Sequence, residues 1–338
     1  VEDLSIGEQV QFNYSVVLME GTQNVVITMD MPLIPGRLSI LSSNVWFTGS
    51  SLSNLGLSVG SSGYYNDTNS DGYNDRVTFD FGDVVNYGDN VVNSGDEIIV
   101  SVTCIVPDVV ENSNGVLMNV SSVFDYTTKE QSGSILVELI EPVLFITQTV
   151  NVTSADAGDF ILVTDVVSHE SYSLYSTAYD LIVQDSLFDK HTLVAGSVTV
   201  SDMNGVVHVG NGEGNKTVDV WIPELVLGNS VTVTYVIRVD ETVTPISYVN
   251  INSSLQYDSH PYLTSLSGES NIGRRNTSSS GTSYYIYEPL STSMTLIKTS
   301  QSGSGQSIHN PWVENLSIGE QVQFNYSVVL MEGTQNVV

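Results

Sequence analysis

The 338-residue chain is poor in basic residues and has a single cysteine. Lys and Arg together number 9 against 38 Asp and Glu, so the formal net charge is −29. Because nucleic acids are bound through basic surfaces, this composition argues against a nucleic-acid-binding protein. Cys104 has no partner for an internal disulfide, and its apolar neighbours in IIVSVTCIVP predict a buried thiol in a strand. There is no run of about 18 apolar residues, so no membrane-spanning helix is predicted.

The sequence also lacks the motifs of common catalytic sites. It contains no G-x-S-x-G elbow, no phosphate-binding loop and no dinucleotide fingerprint. Its acidic pairs fall in turns, and its five histidines do not have the spacing of metal ligands. We therefore expect no enzymatic activity. The histidines are His169, His191, His208, His260 and His309.

What the sequence does contain is a series of short strand-like runs. Segments such as QVQFNYSVVL, EIIVSVTCIV and SVTVTYVIRV are rich in β-branched and aromatic residues, and Gly, Asn, Asp and Ser separate them. No segment has sustained helical periodicity. Short strands with polar turns between them predict an all-β protein built from β-sandwiches.

The last 26 residues, from Val313, repeat the first 26 with one difference, Asp3 against Asn315. Val1 and Val313 are 312 residues apart, which would be the period of a repeat. A recent duplication inside a finite protein and a window from a tandem array both account for this repeat. The chain has neither an initiator Met nor a signal peptide, and it stops inside an apolar run, so we expect the window.

A second, weaker repeat divides each period into two. IGEQVQFNYSVVL from Ile6 parallels AGDFILVTDVVSH from Ala157, and Glu-Pro pairs at 141–142 and 288–289 mark equivalent junctions. The sequence thus predicts two β-sandwich domains per 312-residue repeat, domain I at 1–140 and domain II at 141–288. The remaining 289–338 would hold a linker, a first strand and the start of the next domain I. Domain I itself lacks a first strand, whose equivalent lies at 289–312.

Several segments resemble the conserved repeat domain of large prokaryotic and some eukaryotic surface proteins, a domain of unknown function related to isopeptide-forming fimbrial domains. SADAGDF, STAYDLIVQDSL, LVAGSVTVSD and ELVLGNSVTVTYVIRVDETVTP carry the resemblance, which covers 141–288 well and 1–140 more loosely. The resemblance implies an immunoglobulin-like β-sandwich used in stalks, fibres and adhesin spacers. The family often has a Lys in the first strand, which Lys298 preserves and Gln148 replaces in domain II.

The stretch NDTNSDGYNDRVTFDFG matches the beginning of a calcium-binding loop. Oxygen-bearing side chains alternate, and a glycine at the sixth position permits a sharp turn. The twelfth position is Thr78 instead of a bidentate Glu, so the loop is closer to the calcium loops of extracellular repeats than to an EF-hand. The same residues also favour an ion-free hairpin loop. The candidate calcium ligands are the side chains of Asp67, Asn69, Asp71 and Asp75 and the carbonyl of Tyr73.

Nine Asn-x-Ser/Thr sequons predict N-linked glycans, provided that the chain is secreted by a glycosylating cell. The best candidates are Asn151, Asn215 and Asn276, because they lie in the most turn-like settings. The other six are Asn13, Asn66, Asn119, Asn252, Asn315 and Asn325.

An internal isopeptide bond between Lys298 and Asn119 is a further hypothesis. Lys298 lies in an apolar strand, and Asn119 lies in a late strand of the equivalent domain. Such a bond needs an adjacent buried carboxylate, for which we choose Asp30.

Together these features predict a structural repeat unit of an extracellular or cell-surface filament, N-glycosylated and with bound calcium, whose partners are other copies of itself. The copies could follow one another in one covalent chain, or could exchange their first strands, because an added strand closes an exposed sheet edge. Two alternatives stay open. The domains could be the stalk of an adhesin, or a calcium-dependent carbohydrate-binding module.

Overall fold

The computed structural model describes residues 2–126, 129–170, 175–187, 190–212, 214–261, 276–287, 291–300 and 321–329. Within these ranges the chain forms β-strands and loops, with a single turn of 3-10 helix at Ser94–Asp96 and no α-helix. The prediction of an all-β fold made of tandem immunoglobulin-like sandwiches is confirmed, as the strand order below shows.

The first sandwich is formed by ten strands in two sheets. One sheet has the order β1-β10-β9-β3-β7-β5, with β6 also paired to β7, and the other has the order β2-β8-β4. The strands are β1 (Glu2–Ser5), β2 (Gln9–Val17), β3 (Gly21–Asp30), β4 (Ser39–Thr48), β5 (Leu52–Ser53), β6 (Tyr64–Asn66), β7 (Arg76–Asn86), β8 (Glu97–Ile105), β9 (Leu117–Tyr126) and β10 (Lys129–Ile140).

The second sandwich has eleven strands. One sheet has the order β12-β21-β20-β14-β18-β17, and the other has the order β11-β13-β19-β15, with β16 also paired to β19. The strands are β11 (Leu144–Val150), β12 (Ser154–Ala155), β13 (Phe160–His169), β14 (Ala178–Ser186), β15 (His191–Leu193), β16 (Thr199–Val200), β17 (Val206–Val209), β18 (Thr217–Leu225), β19 (Ser230–Val239), β20 (Tyr248–Asp258) and β21 (Asn276–Ile286).

The two sandwiches share one topology. The order β1-β10-β9-β3-β7 corresponds to β12-β21-β20-β14-β18, and β2-β8-β4 corresponds to β13-β19-β15. In each, one sheet carries an early strand paired in parallel with the last strand, β1 with β10 and β12 with β21. In the opposite sheet β2 pairs with β8, as β13 pairs with β19. This is the arrangement of an immunoglobulin-like sandwich.

The glycine-plus-acid motif that opens both halves has a structural reason. Gly7 and Gly158 have φ angles of 81° and 90°, a left-handed conformation that glycine adopts without steric cost. Glu8 and Asp159 follow them, and each accepts a hydrogen bond of 2.9 Å from the backbone N–H three residues earlier. The motif therefore turns the chain from one sheet into the other at the start of β2 and β13.

Each sandwich encloses its own core, because inward positions alternate with outward positions along the strands. In β3, for example, Val25, Ile27 and Met29 are buried while their neighbours are exposed or half-buried. One core is built from residues between Leu4 and Leu139 and the other from residues between Leu144 and Ile286. The thiol of Cys104 is buried in the first core, where burial raises its pKa to about 12.

The two sandwiches meet at the Glu-Pro pair that ends the first. The buried carboxylate of Glu141 accepts hydrogen bonds from the Asn114 backbone N–H at 3.1 Å and from the Ser259 hydroxyl at 2.9 Å. The ring of His260 lies directly over Gly7, where even a methyl group would overlap it. Glu141 is therefore a bridge between residues of both sandwiches.

A last pair of strands follows the second sandwich. The strands β22 (Ser291–Ser300) and β23 (Gln321–Val329) pair antiparallel, with Thr295 opposite Asn325. The residues of β23, QVQFNYSVV, are identical to those of β2. The chain thus shows one strand sequence in two environments, within a sandwich and outside one.

The two environments predict different effects of one substitution. Phe12 in β2 is 7% exposed, and its repeat Phe324 in β23 is 58% exposed. We expect Phe12→Ala to lower the free energy of unfolding of the first sandwich by about 3–5 kcal/mol, because it leaves a cavity in the core. Phe324→Ala should change it by less than about 0.5 kcal/mol. Denaturant titration of both variants measures the difference, and an equal loss would contradict the packing described here.

Candidate functional site

A groove opens beside β2 on the first sandwich. Its volume is about 320 Å³, and β2, β9 and β10 form its walls, with one residue of β3 at the bottom. The lining residues are Gln11, Phe12, Asn13, Tyr14, Met29, Val120, Ser121, Ser122, Gly133, Ser134 and Ile135.

The groove exists because β2 is an edge strand. One edge of β2 pairs with β8, and no strand among the described residues pairs with its other edge. An unpaired edge presents a row of backbone N–H and C=O groups that can accept another strand. In the second sandwich the corresponding strand β13 is paired on both sides, by β19 and by β11.

Strand β11 shows how a strand that pairs with the outer edge of β13 contributes to the sandwich. Its residues Leu144, Ile146 and Gln148 face inward and are each 4% exposed. The backbone N–H of Leu144 donates to the Tyr257 hydroxyl, and that of Gln148 donates to the Ser280 hydroxyl, both at 3.0 Å. β11 therefore pairs with one sheet through its backbone and touches the other sheet across the core.

Corresponding residues of the two sandwiches can be matched through the strand registers. Tyr14 corresponds to Asp165, since each lies opposite a matched valine of the neighbouring strand. Gly133 corresponds to Ser280, since Gly133 pairs with Ser122, the fourth residue of NVSS, and Ser280 pairs with Ser253, the fourth residue of the equivalent NINS. The groove of the first sandwich thus has a tyrosine and a glycine where the second sandwich has an aspartate and a serine.

In the second sandwich the same place holds a buried polar cluster. Asp165, Asp185 and Gln148 are at most 4% exposed, and the Gln148 amide nitrogen lies 3.5 Å from a carboxylate oxygen of Asp185. Burial raises the pKa of both carboxyls, and the neighbouring charge of Asp165 raises the pKa of Asp185 further. Because two adjacent buried carboxyls cannot both ionise at neutral pH, the pair retains a proton.

Asp30, chosen from the sequence as a buried carboxylate, is not the counterpart of Asp185. Met29 pairs with Ser122 as Asp185 pairs with Ser253, so Met29 occupies the buried position. Asp30, one residue later, faces the other side of the sheet and accepts hydrogen bonds from Arg76 at 2.5 and 3.2 Å. The choice of Asp30 as a buried carboxylate was therefore wrong, because one residue along a strand reverses the face.

The isopeptide hypothesis stays a prediction. Asn119 lies on β9 opposite Leu136, with its side chain exposed. Lys298 lies in β22, with its backbone opposite Val322.

The predicted calcium loop joins β6 to β7. Backbone N–H groups of the loop donate hydrogen bonds to its own carboxylates. The Asp67 carboxylate accepts hydrogen bonds from the backbone N–H groups of Asp71 and Gly72, at 3.2 and 2.8 Å. The Asn69 side chain accepts from the Asp71 N–H at 3.1 Å and donates to the Asp71 carboxylate at 2.8 Å. The buried carboxylate of Asp75 accepts from the Thr68 N–H and hydroxyl.

A cationic side chain also binds this loop. The guanidinium of Arg37 pairs with the Asp71 carboxylate and lies 4.6 Å from the centre of the Tyr73 ring. In the described part of the chain, no group of three or more His, Cys, Asp or Glu side chains is placed to hold a metal ion. Calcium binding to the loop stays a prediction, which a calorimetric titration of the chain with Ca²⁺ would decide.

The sequons lie mainly on the surface. Those at Asn276 and Asn315 fall where the structure does not describe the side chain, and Asn215 is half-buried. The asparagines with exposed side chains are Asn13, Asn66, Asn119, Asn151, Asn252 and Asn325. Exposure is a requirement for glycosylation and leaves these sequons as predictions.

The strand topology defines a class, tandem immunoglobulin-like β-sandwiches. Among the described residues, no helix is long and apolar enough to cross a membrane. No family model and no curated protein matches the chain.

Several solved structures are similar to this chain at low identity. A chain named BspA_C_WT is 8% identical, with 83% of this chain and 95% of that chain covered and a TM-score of 0.41. The T6 backbone pilin of serotype M6 Streptococcus pyogenes is 12% identical, with 87% and 67% covered and a TM-score of 0.31. BcpA, the major pilin subunit of Bacillus cereus, is 9% identical, with 86% and 72% covered and a TM-score of 0.32. Likeness at this level adds nothing to what the strand topology shows.

The buried carboxyl pair predicts how stability depends on pH. Above pH 4 the unfolded chain releases the Asp185 proton, which the folded chain retains, so the second sandwich should lose stability as the pH rises. Each retained proton contributes about 1.4 kcal/mol per pH unit. We expect Asp185→Asn to reduce this slope by about one proton and to be more stable than the wild type at pH 8, in denaturant titrations between pH 5 and pH 8. Asp30→Asn is the control, and an equal effect of both substitutions would contradict this assignment.

Proposed function

We propose that the chain is a structural repeat unit of an extracellular fibre, in which one sandwich follows another along the fibre axis. The observation that carries this proposal is the pairing of β22 with β23. Because β23 has the sequence of β2, the strand that follows one two-sandwich unit pairs with the opening of a second unit.

The same connection occurs inside the unit. β10 ends at Ile140, β11 begins at Leu144, and β11 then pairs with β13 of the following sandwich. At both junctions the last strand of one sandwich is thus followed by a strand that pairs with the next β2-type strand, β11 with β13 and β22 with β23. Units joined this way contact only their neighbours and extend in one dimension, as in other linear repeat proteins.

Charge and surface chemistry support an extracellular fibre. A net charge of −29 makes separate fibres repel one another and keeps them in solution. Six sequons with exposed asparagines provide sites for N-linked glycans along the unit. Calcium binding at residues 67–75 is part of this proposal, and the ion would have to displace the hydrogen bonds of the loop and the Arg37–Asp71 ion pair.

Electron microscopy of the native protein, isolated from its source cells, tests the proposal. We expect filaments made of these sandwiches alone, with one axial repeat for each pair of sandwiches. Single stalks that carry a different head domain would instead show the adhesin alternative, and compact particles without a regular repeat would refute both. Glycan binding that a chelator abolishes would favour the carbohydrate-binding module.

Intact-glycopeptide mass spectrometry of the same filaments tests the glycans. We expect sugar mass on peptides that contain exposed sequons, with Asn151 the best candidate because it lies in the turn between β11 and β12. Unmodified peptides at all the sequons would refute N-glycosylation and would leave the proposed fibre role unchanged.

A further inference from the structure

We propose that the groove beside β2 is filled by the strand Ser291–Ser300 of another copy of this chain. This inference rests on the proposed fibre function and names the partner that binds the open edge. It holds whether neighbouring copies belong to one polypeptide or to separate molecules.

The first argument is that β22 already pairs with the sequence of β2. β23 is identical to β2 over all nine residues, so the pairing seen between β22 and β23 can form again at the open edge of β2. The register then carries over directly. Thr295, opposite Asn325 in β23, would lie opposite Asn13, because Asn325 repeats Asn13.

The second argument is that β2 lies against a sandwich core, whereas β23 packs against no core among the described residues. In the pair β22–β23 the side chains of Met294, Phe324 and Tyr326 are 67%, 58% and 65% exposed. In β2 the repeat of Phe324, Phe12, is buried. A move of β22 from β23 to β2 would keep the same pairs of opposite residues and remove apolar surface from water, which favours the groove.

The third argument is that β22 is apolar where the groove is apolar, whereas β11 is polar where the second sandwich is polar. The register places Met294 at the position of Gln148, because both lie opposite residues that correspond to Tyr14. Lys298, which the sequence comparison matched with Gln148, lies four residues further along β22, opposite the repeat of Val10. Gln148 lies against Asp165 and Asp185, a polar set.

In the groove the same three places are apolar. Tyr14 occupies the position of Asp165, Met29 occupies the position of Asp185, and Met294 would be inserted at the position of Gln148. Gly133 stands for Ser280 and leaves room beside Tyr14, whose ring lies 3.3 Å from the place where a Cβ at Gly133 would be. A long, flexible methionine fits such an irregular apolar space, as a glutamine fits the polar one. The strand also alternates correctly, because Ser293 and Thr295 on either side of Met294 are polar and would face outward.

Disulfide trapping between two separate molecules tests the inference. One full-length chain carries Asn13→Cys and the other carries Thr295→Cys, and the two are mixed and oxidised. Both residues are exposed, and the buried Cys104 stays protected from oxidation. We expect a cross-linked product at twice the 36.6 kDa chain mass, at least about tenfold more abundant than with either variant alone.

Val17→Cys provides the matched control for register. Val17 is 49% exposed and lies four residues along the same strand, about 13 Å from Asn13, which is too far for a disulfide to Thr295→Cys. Cross-linking of the Val17 variant as strong as that of the Asn13 variant would overturn the proposed register. Cross-linking of Asn13→Cys with itself would overturn the proposal, because it would show that two β2 edges pair with each other.

A second pair of substitutions tests the seating of the strand. Met294→Asp, added to the Thr295→Cys chain, would bury an unpaired carboxylate in the groove, so we expect cross-linking to fall at least about tenfold. Ser293→Asp places the same charge on the outward face of β22 and should change cross-linking by less than about twofold. An equal loss with both variants would show that Met294 does not enter the groove.

The outcomes separate this inference from the fibre function. Regular filaments in the microscope without the Asn13–Thr295 cross-link would leave the fibre role in place and refute strand exchange. A register-specific cross-link in a protein that forms no filaments would support strand exchange and refute the fibre role.

Discussion

The structure depends on one constraint, that an edge strand beside a sandwich core leaves backbone groups unpaired and apolar side chains uncovered until another strand binds there. Backbone N–H and C=O groups at an edge are unpaired unless another strand or water binds them, and proteins usually protect such edges. In the second sandwich β11 protects the edge of β13. In the first sandwich the edge of β2 is open, although its sheet order is otherwise the same. The open groove beside β2 follows from this one difference.

The two sandwiches differ in the residues at the centre of their cores, which are polar in the second sandwich and largely apolar in the first. The second keeps a carboxyl pair, Asp165 and Asp185, in contact with Gln148 of its first strand. The first has Tyr14 and Met29 in the corresponding places. Each first strand is therefore chemically suited to one sandwich, because a polar strand would leave unpaired groups in the apolar groove. Specificity between the two kinds of junction is built into a few residues at the centre of the core.

Much of the fold could be predicted from the sequence, because strand propensity, turn residues and internal repeats are local signals. The glycine-plus-acid motif at Gly7 and Gly158 was visible in the sequence, and it marks equivalent turns in the structure. The buried position in β3 was assigned to Asp30 instead of Met29, because a shift of one residue in a strand leaves the sequence pattern almost unchanged and reverses the face. The link between Arg37 and Asp71 was missed as well, because it joins loops 34 residues apart and has no sequence signature.

The parallel pairing of the first and last strands has a mechanical consequence. β1 and β10 run side by side in the same direction over four residue pairs. The second sandwich differs, because β11 precedes β12 and β12 meets β21 over only two residue pairs. When the first sandwich is pulled by its two ends, β1 and β10 slide past each other, so the hydrogen bonds between them carry the load together instead of opening one after another. The topology that closes the first sandwich therefore also places its strongest resistance along the line that joins its two ends.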